Sequence, residues 1–281
     1  LAHDALSRAN EGDTMRTTWY RSASAIAVVM GVAITASAGT LFHDDFDAAT
    51  LDSVWFLDHP QNGAGDGPPV WVHAGGVLSQ TNPKPGDPTY AVIEGDGWPE
   101  SYGVVAKVRI DEWEDHDRSR AGVGVWLDDT DNYQGYTWLI HERLTDTNME
   151  FLNDGRAWFG AEETFEVALG DWYWVKTFID AGSGDIMGKI WPASASDRDP
   201  STTGEPADWM STFAFGGFGG VRPATSRAGL NGGAGTDGGF STASFDDVFV
   251  YDGPGPDELT AVDAAGKAST TWEKLNHHKT L

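Results

Sequence analysis

Cysteine is absent from the 281 residues, which excludes disulfides, thiolate zinc sites, iron–sulfur clusters and cysteine nucleophiles. Basic residues are scarce. Against 43 Asp or Glu stand 18 Lys or Arg, for a formal net charge of −25. Such a chain does not bind a nucleic-acid backbone or an anionic membrane surface non-specifically. Helical patterning is missing too. No amphipathic stripe of ten or more residues precedes the C-terminal tail, and no fixed-period repeat runs through the chain. His-Glu-x-x-His, Gly-x-Ser-x-Gly and Walker loops do not occur, so zincin, serine-hydrolase and P-loop chemistry have no sequence support.

What is present favours strands. Hydrophobic residues make up 40% of the chain, with 13 Trp, 13 Phe and 7 Tyr, enough to fill a core. The 35 glycines suit strands joined by tight turns.

The N-terminus reads as a processing segment. A short basic start from Met15 to Arg21 precedes an apolar run over 23–35 and then Ala36-Ser37-Ala38, a small-residue cleavage pattern. Residues 15–38 are expected to be a Sec-type signal peptide, with an uncleaved anchor as the alternative. The apolar run falls short of the roughly 20 residues that a membrane span needs. Residues 1–14 read as an upstream, non-native extension. The expected location is secreted, extracellular or periplasmic. The charges of 1–38 cancel, so the chain from Gly39 keeps the whole acidity.

Short β-like runs separated by Gly, Asp, Asn and Pro fill 39–252. Strands are expected at 41–46, 70–73, 77–80, 90–94, 102–110, 121–127, 134–141, 149–152, 172–180, 185–191, 212–215, 227–230 and 244–251. In 172–179, Tyr173, Val175, Thr177 and Ile179 share one face, and Trp174 and Lys176 share the other. Period two with a polar face means antiparallel sheet. The expectation is one all-β domain over 39–252, a two-sheet antiparallel sandwich. Residues 216–239 read as a long surface connection, and 253–281 as a tail.

Several runs resemble concanavalin A-like (laminin-G-like) jelly-roll domains. They are His43-Asp-Asp-Phe46 with Leu51 and Trp55, the stretch from Asp131 to Trp138, and Trp172-Tyr-Trp-Val-Lys176 with Gly188-Lys-Ile-Trp191 after it. Glu205-Pro-Ala-Asp-Trp209 and the closing run from Ala243 to Tyr251 complete the set. The resemblance implies two curved antiparallel sheets, a structural calcium ion and glycan binding. Glycosidases, lyases and keto-disaccharide hydrolases share the fold, so it does not settle function.

Chemistry selects the candidate residues. Sugars stack on aromatic faces while carboxylates or amides take their hydroxyls. Trp126, which alternates with Gly122 and Gly124, is a candidate platform, as are Trp138, Trp174 and Trp191. Calcium takes six to eight oxygen ligands, and Asp45 and Asp247 are its expected protein ligands, with Asp44 and Asp246 as register alternatives. Asp128, Asp129 and Asp131 are a weaker calcium candidate, without the EF-hand spacing, and Asx turns explain them. Hydrolysis needs a carboxylate pair. Glu94, Asp96 and Glu100 match a family-sixteen glucanase spacing, but Gly95, Gly97 and Pro99 make the segment a turn. Glu112 and Glu114, if extended, share a face about 6.5–7 Å apart, or else lie in a solvated hairpin.

The expected function is a secreted, non-catalytic, lectin-like carbohydrate-binding domain stabilised by calcium, with a polysaccharide or glycan as partner. A structural or adhesive protein and a glycoside hydrolase remain the alternatives.

Overall fold

The structure is a computed structural model that describes residues 39–57, 67–86, 89–94, 98–113, 119–127, 135–143, 146–153, 158–215, 226–233 and 241–253. The extension 1–14, the signal segment 15–38, Asp96, Glu114 and the acidic turn at 128–132 lie outside the described residues. So do most of 216–239 and the tail beyond 253.

Fifteen strands are described in chain order. They begin with β1 (Thr40–Asp44), β2 (Trp55–Phe56), β3 (Trp71–Ala74), β4 (Val77–Gln80) and β5 (Tyr90–Ile93). Next come β6 (Tyr102–Trp113), β7 (Arg120–Leu127), β8 (Tyr136–Arg143), β9 (Asp146–Asn153) and β10 (Trp158–Thr164). The last five are β11 (Trp172–Asp180), β12 (Asp185–Ala193), β13 (Ser211–Ala214), β14 (Arg227–Asn231) and β15 (Ser241–Tyr251). Every strand expected from the sequence forms, within a few residues at its ends; β2 and β10 are additional.

The strands build two antiparallel sheets of a jelly-roll sandwich. The first runs β13-β12-β11-β6-β15-β4-β3, with β1 also on β15; the second runs β10-β9-β8-β7-β14-β5-β2. Alternation decides the core. Val104, Ala106, Val108 and Ile110 of β6 point between the sheets, as do Tyr173, Val175 and Ile179 of β11. From the second sheet come Val123, Val125, Trp138, Ile140, Met149 and Phe151. Trp138 is fully buried, and its ring fills the space Gly188 leaves on β12. A Cβ on Gly188 would lie 2.4 Å from that ring.

A bulge interrupts β7. Gly124 pairs with Gly229 and Leu127 with Arg227, so Val125 and Trp126 share one partner residue. Trp126 has a φ of 54° there. One extra residue reverses the facing of the rest of the strand. Trp126 therefore turns into the core against Phe215, and Leu127 turns outward to Tyr90 and Val92.

Candidate functional site

The outer faces of the two sheets differ in what their side chains do. On the first sheet, β6, β11 and β12 send Lys107, Lys176 and Lys189 outward among Trp174, Trp191, Phe249 and Tyr251. All three lysines are buried and all three are matched by anions. Lys107 Nζ lies 2.7 Å from Asp246 Oδ2 and 2.8 Å from Asp247 Oδ2. Lys176 and Lys189 both reach Glu205 Oε1 at 2.7 Å.

Residues 194–210, between β12 and β13, close over this face. Lys189 donates to Pro206 O and Lys107 to Ala195 O. Trp191 Nε1 donates to Thr203 Oγ1, and Trp209 lies 4.6 Å from Lys189 Nζ as a cation–π partner. Burial pushes the Asp246 carboxyl up, and the Lys107 hydrogen bond does not fully offset it. Burial pulls the Arg198 guanidinium down, but the negative charges of Asp247, Asp246 and Asp47 outweigh it and raise it overall. This face is a closed electrostatic lattice.

That geometry corrects the expected sites. Trp174 and Trp191 do share a face with Lys176 and Lys189, but 194–210 covers it, and the two rings are 0% and 2% exposed. Trp126 and Trp138 are core residues whose indole N–H groups donate to Glu100 O and Lys189 O. None of the four offers a ring face to a sugar. Of the expected calcium ligands, Asp247 is paired with Lys107. The Lys107 ammonium lies between Asp246 and Asp247. Asp45 accepts the Asp47 N–H, and Asp44 accepts from Phe46 N and Trp55 Nε1. Among the described residues, no three His, Asp or Glu side chains converge to hold a metal ion. Of the carboxylate candidates, Glu94 and Glu112 are exposed at strand ends. Glu100 is exposed too, and it contributes its backbone carbonyl to Trp126.

The second sheet carries a different arrangement. Alternation turns Arg120, Gly122 and Gly124 of β7 outward, with Thr137, Leu139 and His141 of β8 and Asn148 and Glu150 of β9. Gly122 permits close strand approach, because a Cβ there would lie 2.1 Å from Trp138 O. Register places Arg120, His141 and Asn148 in one row across three strands. Trp158 of β10 stacks on His141, with centroids 4.5 Å apart and planes at 26°. His141 Nε2 lies 3.4 Å from Glu150 Oε2. Asn148 Nδ2 donates to Glu162 Oε1 at 2.6 Å. Farther along the sheet, Thr89 Oγ1 donates to Asn231 Oδ1 at 2.7 Å.

His141 is 1% exposed, yet among the described residues neither ring nitrogen has a hydrogen-bond partner. A buried polar group left unsatisfied costs about 1–3 kcal/mol, so such a group calls for an explanation. The rim beside it is open: Trp158 is half-buried and Glu162 exposed. The face thus combines an aromatic plane, carboxylates, an amide and an imidazole. Sequence reasoning passed over it. The one available signal was Glu150, a lone carboxylate among Met149, Phe151 and Leu152 in an expected strand.

No protein-family model and no curated protein matches the chain. Similar solved structures include the Xyloglucan PUL GH43B of Bacteroides ovatus, at 19% identity and TM-score 0.46, over 74% of this chain and 38% of that one. A xylan β-1,4-xylosidase from Bacillus halodurans C-125 matches at 15% identity and TM-score 0.49, over 75% of this chain and 39% of that one. The carbohydrate-binding module CBM66 from Bacillus subtilis matches at 12% identity and TM-score 0.43, over 70% and 94%. The chain therefore spans less than half the length of the first two.

Proposed function

We propose that this protein is an exported carbohydrate-binding β-sandwich whose ligand face is the outer face of the second sheet. The observation that carries the reading is His141: buried beside Glu150, with neither ring nitrogen hydrogen-bonded among the described residues, and stacked on the half-buried Trp158. A sugar ring supplies what this face lacks. Its C–H surface packs on the indole, and its hydroxyls donate to carboxylates and exchange hydrogen bonds with imidazole and amide groups. The signal-like segment 15–38 supports a ligand outside the cytoplasm. The reading does not depend on calcium at Asp45 and Asp247, and Asp247 pairs with Lys107.

The test is retention of the full chain on gel-embedded xylan, xyloglucan, arabinan, β-1,3-glucan and levan. Retention by one polymer is expected, with Trp158→Ala weakening it at least tenfold. Passage through every polymer contradicts the reading. It would favour a structural or adhesive protein instead, a reading supported by the burial of Trp126, Trp138, Trp174 and Trp191.

A further inference from the structure

An edge strand offers unpaired N–H and C=O groups to any other chain, and folded proteins block such edges with charge, proline, bulges or brevity. Most edges of this sandwich carry a block. β1 shifts register after Thr40 and ends in Asp44. β2 is two residues long. β10 is bulged and carries Glu162 and Glu163. β13 lies against β10, where Gly160 faces the Phe213 ring. β3 is the last strand of the first sheet, and it has no charged residue, proline or bulge. Among the described residues it pairs with β4 alone. We propose that β3 pairs antiparallel with β3 of a second copy of this chain, joining the two first sheets edge to edge.

The backbone sets the register. Thr81 N donates to Val70 O, so hydrogen-bonded pairs fall at Val70, Val72 and Ala74 along the β3–β4 ladder. The N–H and C=O groups of Trp71 and His73 therefore point to the other side, along the sheet edge. Side chains alternate as well. Trp71 packs on Phe245 and His73 Nε2 meets Phe46 O, which turns Val70 and Val72 to the outer face. They are 47% and 42% exposed, two of the three large apolar side chains that stand exposed among the described residues. A two-fold axis at Val72 sets Trp71 opposite His73 of the second copy, and His73 opposite its Trp71. Those two pairs exchange about four backbone hydrogen bonds. Val72 then meets Val72 of the second copy as a non-hydrogen-bonded pair, with Cβ atoms about 4.5–5.5 Å apart, and Val70 meets Ala74.

Charge and symmetry select a second copy as the occupant. Each chain carries a net charge of −25, so two copies can approach only where charge is missing. From Gly67 to Pro83 there is no Asp, Glu, Lys or Arg, the longest such stretch within 44–252. This stretch is the β3–β4 hairpin, turned tightly at Gly75 and Gly76 with φ of 65° and 78°. A basic partner would be drawn to the acidic surface and not to this neutral hairpin. An uncharged strand paired antiparallel with itself is self-complementary, as an isologous interface requires.

Sedimentation velocity of the full chain over a concentration series tests the pairing. A dimer that dissociates on dilution is expected. Added salt should strengthen it, because salt screens the repulsion between two acidic copies. Val72→Lys sets like charges against each other at the axis and should weaken dimerisation at least tenfold. Val72 is exposed, so this variant keeps the monomer's fold, read as an unchanged circular dichroism spectrum. The chain has no cysteine, so Val72→Cys introduces a single thiol. Oxidation should link two copies through it, far faster than it links Ser183→Cys in the exposed turn after β11. A monomer at every concentration overturns the proposal. So does a dimer that Val72→Lys leaves intact, or a Val72→Cys variant that links no faster than Ser183→Cys.

Discussion

The hydroxyl of Tyr102 accepts the backbone N–H of Trp126 at 2.7 Å and donates to Arg227 O at 2.9 Å. One fully buried phenol on the first sheet thus ties together the two second-sheet strands that flank the β7 bulge. Tyr102→Phe keeps the ring but leaves the Trp126 N–H without its acceptor in the core. The expected loss is about 1–3 kcal/mol, read from the urea midpoint at unchanged m-value.

The closed face of the first sheet depends on Glu205. It is the shared anion of Lys176 and Lys189, both buried. Breaking a buried ion cluster from one side costs about 3–5 kcal/mol, because it strands the remaining charges. Glu205→Ala should lower stability by that amount in chemical denaturation. Replacing Lys176, Lys189 and Glu205 together by apolar residues of similar size should cost far less. Equal losses for the single and triple variants would contradict the arrangement.

Tyr251 sets an alkaline limit. Burial holds its phenol well above the ordinary value near 10, and the negative charge of Glu205 adds to the effect. Above about pH 10 the unfolded chain releases this proton while the folded chain keeps it. The folded state then binds more protons, so stability falls as pH rises. Below that pH the contribution is fully present. The ultraviolet absorbance of ionised tyrosine should show the Tyr251 step only together with unfolding, and Tyr251→Phe should weaken the alkaline loss of stability.

Packing around Trp138 gives a further test. Gly188 carries no side chain because the Trp138 ring occupies its space, with 2.4 Å left for a Cβ. Gly188→Ala must displace the indole, which donates from Nε1 to Lys189 O on the same strand. Overpacking of this kind costs about 1–3 kcal/mol, visible as a lowered Tm.

The fold was legible in the sequence because its strands alternate. In β11, Val175 and Lys176 declare opposite faces, and the structure places them so. The site was not legible, for two physical reasons. Trp126 reads as an outward platform only while period two holds, and the bulge reverses its facing. Trp174 and Trp191 do face outward, but only the tertiary course of 194–210 reveals that they are covered. β10 escaped notice because Gly160 and its bulge break the alternation of Trp158 through Thr164. Its loss removed Trp158 and Glu162 from view, and with them the reason to look at His141. The acidic residues that do form patterns in sequence, Glu94 and Glu112, stand exposed at strand ends.

The second-sheet face around His141 and Trp158, and not the tryptophan-rich face of the first sheet, is the proposed glycan site. Affinity electrophoresis of the full chain, Trp158→Ala and Trp174→Phe in polysaccharide gels tests it most directly. One polymer is expected to retard the unmodified chain and Trp174→Phe alike, while Trp158→Ala migrates as if the polymer were absent. Equal retardation of Trp158→Ala and the unmodified chain, or loss of retardation in Trp174→Phe alone, would contradict it.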